Sequence, residues 1–292
     1  MRLQLLTLSA ACAAACSTAL AQERVTFGSL DGETTLNAYL SPPQQTGPRP
    51  ALVFLHGCSG MRRPNGAILP IYREWRRELV GHGYVVLVVD SAGSRGFGAT
   101  CTASTARRTV LRNRPKDAYA ALQFLQAQPN VRSDRVGVIG WSQGGQTVLR
   151  AIGVQSQGRP DRLKQDFAAA AAFYPGGCSE RLQSRPFVPA EPNTWTTKIP
   201  LLVLFGMADN WTPIGPCEEF IAGAKARGAP ITFHRYPEAL HGFDAPNLSR
   251  RALPHFRMQD GTVPQVGTDR TARADALVRV PEFLRRHLLA GE

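Results

Sequence analysis

The sequence predicts an α/β protein: a mostly parallel, doubly wound sheet of eight strands in a single domain. Three observations carry the prediction. Apolar runs of strand length at 51–55, 85–89, 135–140, 168–174, 199–205 and 231–236 show little alternation, as strands covered on both faces do. Helical segments fall between most of them, the alternation expected of a parallel sheet. Ahead of them, 25–30 and 35–40 read as two strands of an antiparallel hairpin turning around Asp31-Gly32.

Taken in order, the chain opens with Arg2, an apolar stretch rich in Ala and Leu, and Ala19-Leu20-Ala21, an A-x-A cleavage pattern. Residues 1–21 therefore read as a secretory signal peptide, with 22–292 as one catalytic domain and export to a periplasmic or extracellular space. Ala13-Ala14-Ala15 before Cys16 lacks the bulky apolar residue of a lipoprotein site. The hairpin follows, then a Pro-rich loop at 41–50. Helices are expected at 70–80, 115–128, 143–154, 216–227 and 274–289, interleaved with the remaining strands. Two stretches, 176–198 and 245–269, interrupt the pattern and read as surface connections or as loops over a substrate.

The 292 residues are enough to bury one sizeable core. No segment reaches the roughly 20 apolar residues of a membrane-spanning helix, so no stable membrane insertion is expected. The net charge of +12 arises from 30 Arg and 4 Lys scattered along the chain. That describes a solvated basic surface able to attract anionic substrates or membrane surfaces. Nucleic acid is excluded as a partner, since zinc-finger spacing, aromatic RNP-like motifs and a basic helix are all missing.

Gly140-Trp141-Ser142-Gln143-Gly144 follows the predicted strand at 135–139 and opens a helix, the setting of a G-x-S-x-G nucleophile elbow and of the α/β-hydrolase fold. A serine hydroxyl needs a base, and the base needs an orienting acid. In this fold they follow in the order Ser, Asp or Glu, His. Asp209 and His241 each lie just past a predicted strand, on the same sheet edge as Ser142. His82, His234, His255 and His287 lack that position, Asp90 precedes the serine, and Asp244 sits too close to His241 to serve it as acid. The oxyanion donors are expected from the amides of Gln143 and Cys58, with His56 beside them on the loop after 51–55. Trp141 and Trp211, flanking catalytic candidates, are expected to line a substrate pocket, as is His56.

Outside the signal segment the cysteines are Cys58, Cys101, Cys178 and Cys217. No C-x-x-C or H-x-x-x-H spacing points to a metal. Four cysteines allow three pairings. Since each expected pair follows neighbouring strands, the topology favours Cys58 with Cys101 and Cys178 with Cys217.

With these residues in place, the chain resembles the dienelactone hydrolase family, in particular its exported, serine-containing relatives. The resemblance runs from about Arg49 to the C-terminus through Leu55-His56-Gly57-Cys58, Asp90-Ser91, Arg95-Gly96, the Ser142 motif, Asp209-Asn210-Trp211-Thr212-Pro213 and His241-Gly242-Phe243-Asp244. It implies an α/β-hydrolase with no large cap domain and no cofactor. The dienelactone hydrolases proper use cysteine where this chain has Ser142, so the resemblance implies general hydrolysis of a small-molecule ester. A peptidase of the same fold is the nearest alternative, though such enzymes usually add a propeller or cap. A non-catalytic binding protein would commonly have lost a triad member, and a protein acting through basic charge alone would not need Ser142.

Overall fold

The computed structural model describes residues 22–102 and 104–289, so the predicted signal peptide at 1–21 lies outside the described residues. Eight strands form one sheet in the order β1-β2-β4-β3-β5-β6-β7-β8. They are β1 (Glu23–Gly28), β2 (Thr35–Ser41), β3 (Arg49–Leu55), β4 (Val85–Asp90), β5 (Val131–Trp141), β6 (Ala169–Phe173), β7 (Leu201–Gly206) and β8 (Ile231–Tyr236). β1 pairs antiparallel with β2, and β2 with β4; all pairs from β4 to β8 are parallel. This is the mostly parallel α/β-hydrolase sheet.

β4, β6 and β7 are buried along their whole length, and β3 along all but its first residue. Helices on both faces cause this: α1 (Pro70–Gly81), α2 (Thr105–Gln126), α3 (Gln143–Ile152), α4 (Ile214–Ala226) and α5 (Arg270–Leu288). α1 presses Tyr72, Trp75, Leu79 and Val80 inward, the 3.6-residue stripe of a helix lying on a sheet. No helix among the described residues is long and apolar enough to cross a membrane. The chain leaves β3 toward β4 on one side and later enters β5 on the other. The C-terminal ends of β3 and β5 therefore flank a topological switch point, where open α/β sheets form a crevice.

Two expectations need correction. The first strand ends at Gly28, not at residue 30, because Ser29 to Thr34 form a wider turn instead of a two-residue hairpin loop. Asp31 accepts from the amides of Glu33 and Thr34 and takes an ion pair from Arg95, which pulls the turn toward the sheet. The second helix starts at Thr105 and not at Pro115, capped by the Ser104 hydroxyl on the Arg107 amide. A proline inside a helix leaves the carbonyl four residues back without its donor. Here that carbonyl belongs to Leu111, and the Arg150 guanidinium of α3 donates to it at 3.4 Å.

Candidate active site

β5 runs directly into Ser142, whose φ of 52° and ψ of −113° lie where side-chain-bearing residues rarely sit. The backbone holds it there. The Ser142 amide donates to the Phe173 carbonyl, and its own carbonyl accepts from Gln146 and Gly176. The flanking glycines are required by packing: a Cβ on Gly140 would lie 2.3 Å from the Gly144 carbonyl oxygen, and one on Gly144 would lie 1.9 Å from that of Leu55. Strand and helix can cross this closely only without side chains. Ser142 is thereby left half-buried in the wall of an open cleft of about 760 Å³.

Asp209 sits in the turn after β7 and His241 in the turn after β8. His241 Nδ1 lies 2.7 Å from Asp209 Oδ2, with the two side chains 7% and 0% exposed. The other oxygen of Asp209 accepts the amides of Trp211 and Thr212, and the Thr212 hydroxyl donates to Oδ2. These donors fix the orientation of the carboxylate toward the imidazole. Gly206 lets the two turns meet, since a Cβ there would lie 2.2 Å from the Ala239 carbonyl oxygen. The His241 ring packs between Tyr174 at 4.5 Å and Trp211 at 4.9 Å, centroid to centroid. Sheet order places β5, β6, β7 and β8 side by side, so all three candidates share one edge.

Gln143 is the first residue of α3, so its amide has no acceptor within the helix. The Cys58 loop runs beside Ser142: a Cβ on Gly57 would lie 3.7 Å from the Ser142 Cβ. Tyr72 Oη receives the Gly57 amide at 2.7 Å, and the Cys58 carbonyl is turned onto the Thr100 amide at 2.7 Å. Cys58 is bonded to Cys101 and Cys178 to Cys217, the pairing the topology favoured; Cys58, Cys101 and Cys178 line the cleft, and Cys217 is buried behind it.

Two of the three residues expected at the substrate are placed elsewhere. His56 is 0% exposed, with Nδ1 against the Gly57 carbonyl and Nε2 receiving the Ala92 amide. Burial and then the Arg114 charge push its pKa down to about 3, so it is a neutral brace inside the loop. Trp141 is 1% exposed, stacked on Phe173, with its Nε1 donating to Asp244. The alternation of a strand explains it: when Ser142 faces the cleft, its neighbour turns into the core. Trp211 does line the cleft, stacked on Phe256 from the segment 245–269. That segment carries a small hairpin, β9 (Arg251–Ala252) with β10 (Gln265–Val266), pinned to the Asp209 turn through both ends of the Asn210 amide. Gly177, Ser179 and Leu182 of the other interrupting segment also line the cleft.

Several residues that shape this site were not singled out for that role from sequence. Asp244, weighed only as an alternative acid, is 1% exposed and accepts from Trp75, Trp141 and Tyr174 at 2.7–2.8 Å. Thr100 and Arg114, both buried, hold the Cys58 loop and the Gln143 side chain. Arg114 is one arginine among thirty, and its spacing carries no signal.

A serine at a strained strand-to-helix turn, with an Asp–His pair on neighbouring strand ends, defines a hydrolase of the α/β-hydrolase fold. Residues 36–288 match the dienelactone hydrolase family, and the chain belongs to it. Among solved structures it is similar to a dienelactone hydrolase-like promiscuous phosphotriesterase from metagenomic libraries, with a TM-score of 0.66, 18% identity, and coverage of 92% of this chain and 99% of that one. It is also similar to esterase 2 of Thermogutta terrifontis phosphoramylated by tabun, with a TM-score of 0.63, 19% identity, and coverage of 91% and 94%. At these identities the likeness concerns the fold alone. Among curated relatives, dipeptidyl aminopeptidase BIII of Pseudoxanthomonas mexicana is 25% identical over 74% of this chain, and the acylamino-acid-releasing enzyme of Rattus norvegicus 24% identical over 75%. The chain spans about a third of the length of these two, 35% and 32% respectively.

Proposed function

We propose that this protein is a serine hydrolase of carboxylic esters, with Ser142 as nucleophile, His241 as base and Asp209 as the acid that orients it. The observation that supports this most is the pairing of a left-handed Ser142 with the buried Asp209–His241 contact on one edge of the sheet. In this reading His241 takes the Ser142 proton as Oγ attacks the ester carbonyl. Asp209 holds the imidazole in the tautomer with hydrogen on Nδ1 and stabilises the imidazolium. The amides of Gln143 and Cys58 receive the oxyanion. His241 then protonates the leaving alcohol, and water, deprotonated by the same histidine, releases the acid from Ser142. Trp211 and Phe256 give the cleft an apolar wall suited to an acyl or aromatic group. The two disulfides fit an oxidising compartment, in keeping with a signal peptide at 1–21.

Peptide cleavage is the second reading, favoured by the two curated relatives. The test separates them. The protein and its Ser142→Ala variant are assayed on p-nitrophenyl esters of graded acyl length and on peptide p-nitroanilides, with fluorophosphonate labelling. Ester turnover and labelling by the wild type, both absent from the variant, support the proposal. Faster turnover of anilides than of esters would move it to a peptidase.

A further inference from the structure

Arg114, near the middle of α2, is 0% exposed. Its Nη2 donates to the His56 carbonyl at 2.6 Å and its Nη1 to Gln143 Oε1 at 3.2 Å. None of its hydrogen bonds among the described residues goes to a carboxylate. Arg95, also nearly buried, differs: it is paired with Asp31 and Asp117 at 2.6 and 2.8 Å. A buried guanidinium held only by neutral oxygens is costly, so its two acceptors are informative. One belongs to the loop that carries Cys58, the other to the residue after Ser142. Thr100 adds a second strut: its hydroxyl donates to Gln143 Oε1, its carbonyl accepts from Gln143 Nε2, and its amide donates to the Cys58 carbonyl.

We infer that Arg114 is a positioning residue for the oxyanion hole: its planar fork ties the His56–Cys58 loop to Gln143 and so sets how the two amides converge over Ser142. The inference rests on the serine-hydrolase reading. Only a rigid two-pronged donor spans two acceptors on separate segments, and lysine supplies a single point charge instead. The cation remains protonated in place, since burial brings its pKa only to about 10. After burial, its charge is the second cause of the lowered His56 pKa. It therefore stands behind the place where negative charge develops, in a medium that screens little.

The test compares Arg114→Met, Arg114→Lys and Gln143→Leu, the last removing the side-chain acceptor while keeping the amide. Active sites are titrated with a fluorophosphonate, and kcat, KM and the Ki of an arylboronic acid, which forms a tetrahedral adduct on serine, are measured per active site. Both Arg114 variants should lower kcat by about 10- to 100-fold, leave KM within about threefold, and raise the boronate Ki by a similar factor to the loss in kcat. Gln143→Leu should do the same to a smaller degree and less than additively with Arg114→Lys. If Arg114 merely supports the fold, the titre of active sites falls while kcat per site and Ki stay at the wild-type values, and the inference is overturned. Should Arg114→Met fail to fold, Arg114→Lys and Gln143→Leu decide by the same readouts. A wild type that neither turns over nor labels sinks the serine-hydrolase reading itself, and the inference with it.

Discussion

On either side of Ser142 the protein buries an ionisable side chain, one basic and one acidic. On the loop side Arg114 is held by the His56 carbonyl and the Gln143 amide oxygen. On the histidine side Asp244 is held by two indole N–H groups and the Tyr174 hydroxyl. Among the described residues, neither the guanidinium nor the carboxyl group is hydrogen-bonded to a counter-ion side chain; each is held by fixed dipoles. The cation stands where the proposed reaction develops negative charge. The carboxylate stands beneath the turn of the proposed base, where an imidazolium would form. Each also joins separate parts of the chain: Arg114 ties α2 to the ends of β3 and β5, and Asp244 ties the His241 turn to α1 and to the ends of β5 and β6. A site on strand ends needs cross-links behind it, because loops alone do not hold catalytic groups to fractions of an ångström.

The sharpest break lies on the histidine side. Asp209→Asn should lower kcat by about 10³- to 10⁴-fold with little change in unfolding midpoint, because the amide favours the wrong imidazole tautomer. Steady-state kinetics beside a urea melt would check it. A loss under tenfold would remove Asp209 from the proposed mechanism.

Asp244 should act on stability instead. Asp244→Leu leaves three buried donors without an acceptor and should cost about 3 kcal/mol or more in urea unfolding. Asp244→Asn should cost less, and its cost should depend on pH with a definite sign. Burial raises the Asp244 pKa above its ordinary value of 3.8, against the lowering by its hydrogen-bond donors. The folded chain thus holds this proton more tightly than the unfolded chain, and the Asp244 contribution to stability declines as pH rises from 3.8 through the raised value. The gap between wild type and Asp244→Asn should therefore narrow as pH rises from 3.8 through the raised value. A gap that widens over that range would contradict the raised value.

The disulfides sharpen the loop side. Their sequence separations, 43 and 39, are nearly equal, so removing either by double Ala substitution should cost about 2–4 kcal/mol of unfolding free energy. Turnover should separate them: without Cys58–Cys101, kcat of the folded protein falls about tenfold as the Cys58 amide loses its anchor, and without Cys178–Cys217 it changes less. Equal slowing by both would show that Cys58–Cys101 anchors the Cys58 amide no more than Cys178–Cys217 does. The smallest effect is expected at the cleft wall, where Trp211→Ala should raise KM about three- to tenfold for aromatic esters, since stacked area is lost at the pocket. Trp141→Phe should leave KM unchanged and lower the melting temperature.

Much of the fold was legible because its signals are short-ranged. Apolar runs such as 85–89 and 199–205 are required by a sheet covered on both faces, whatever lies elsewhere, and they became β4 and β7. Ser142, Asp209 and His241 could be selected because chain order and strand ends constrain them together. What misled the reading was polar and aromatic residues taken by their neighbours in sequence. His56 and Trp141 adjoin the candidate oxyanion donors and nucleophile, yet both point into the core. The start of α2 was masked by Pro115, whose missing hydrogen bond is offset by Arg150, 35 positions later.

Strand and helix alternation, the elbow around Ser142 and the chain order of the candidate acid and base could be read from the sequence, because each is written in a few neighbouring residues or in their order. Which ionisable groups are buried, and what they hold, depends on contacts between distant segments. Arg114 reaches the His56 carbonyl across 58 positions, and Trp75 reaches Asp244 across 169. Such contacts have no period or spacing in the chain, since they exist only after the sheet has brought the strand ends together and excluded the water that would otherwise satisfy those groups.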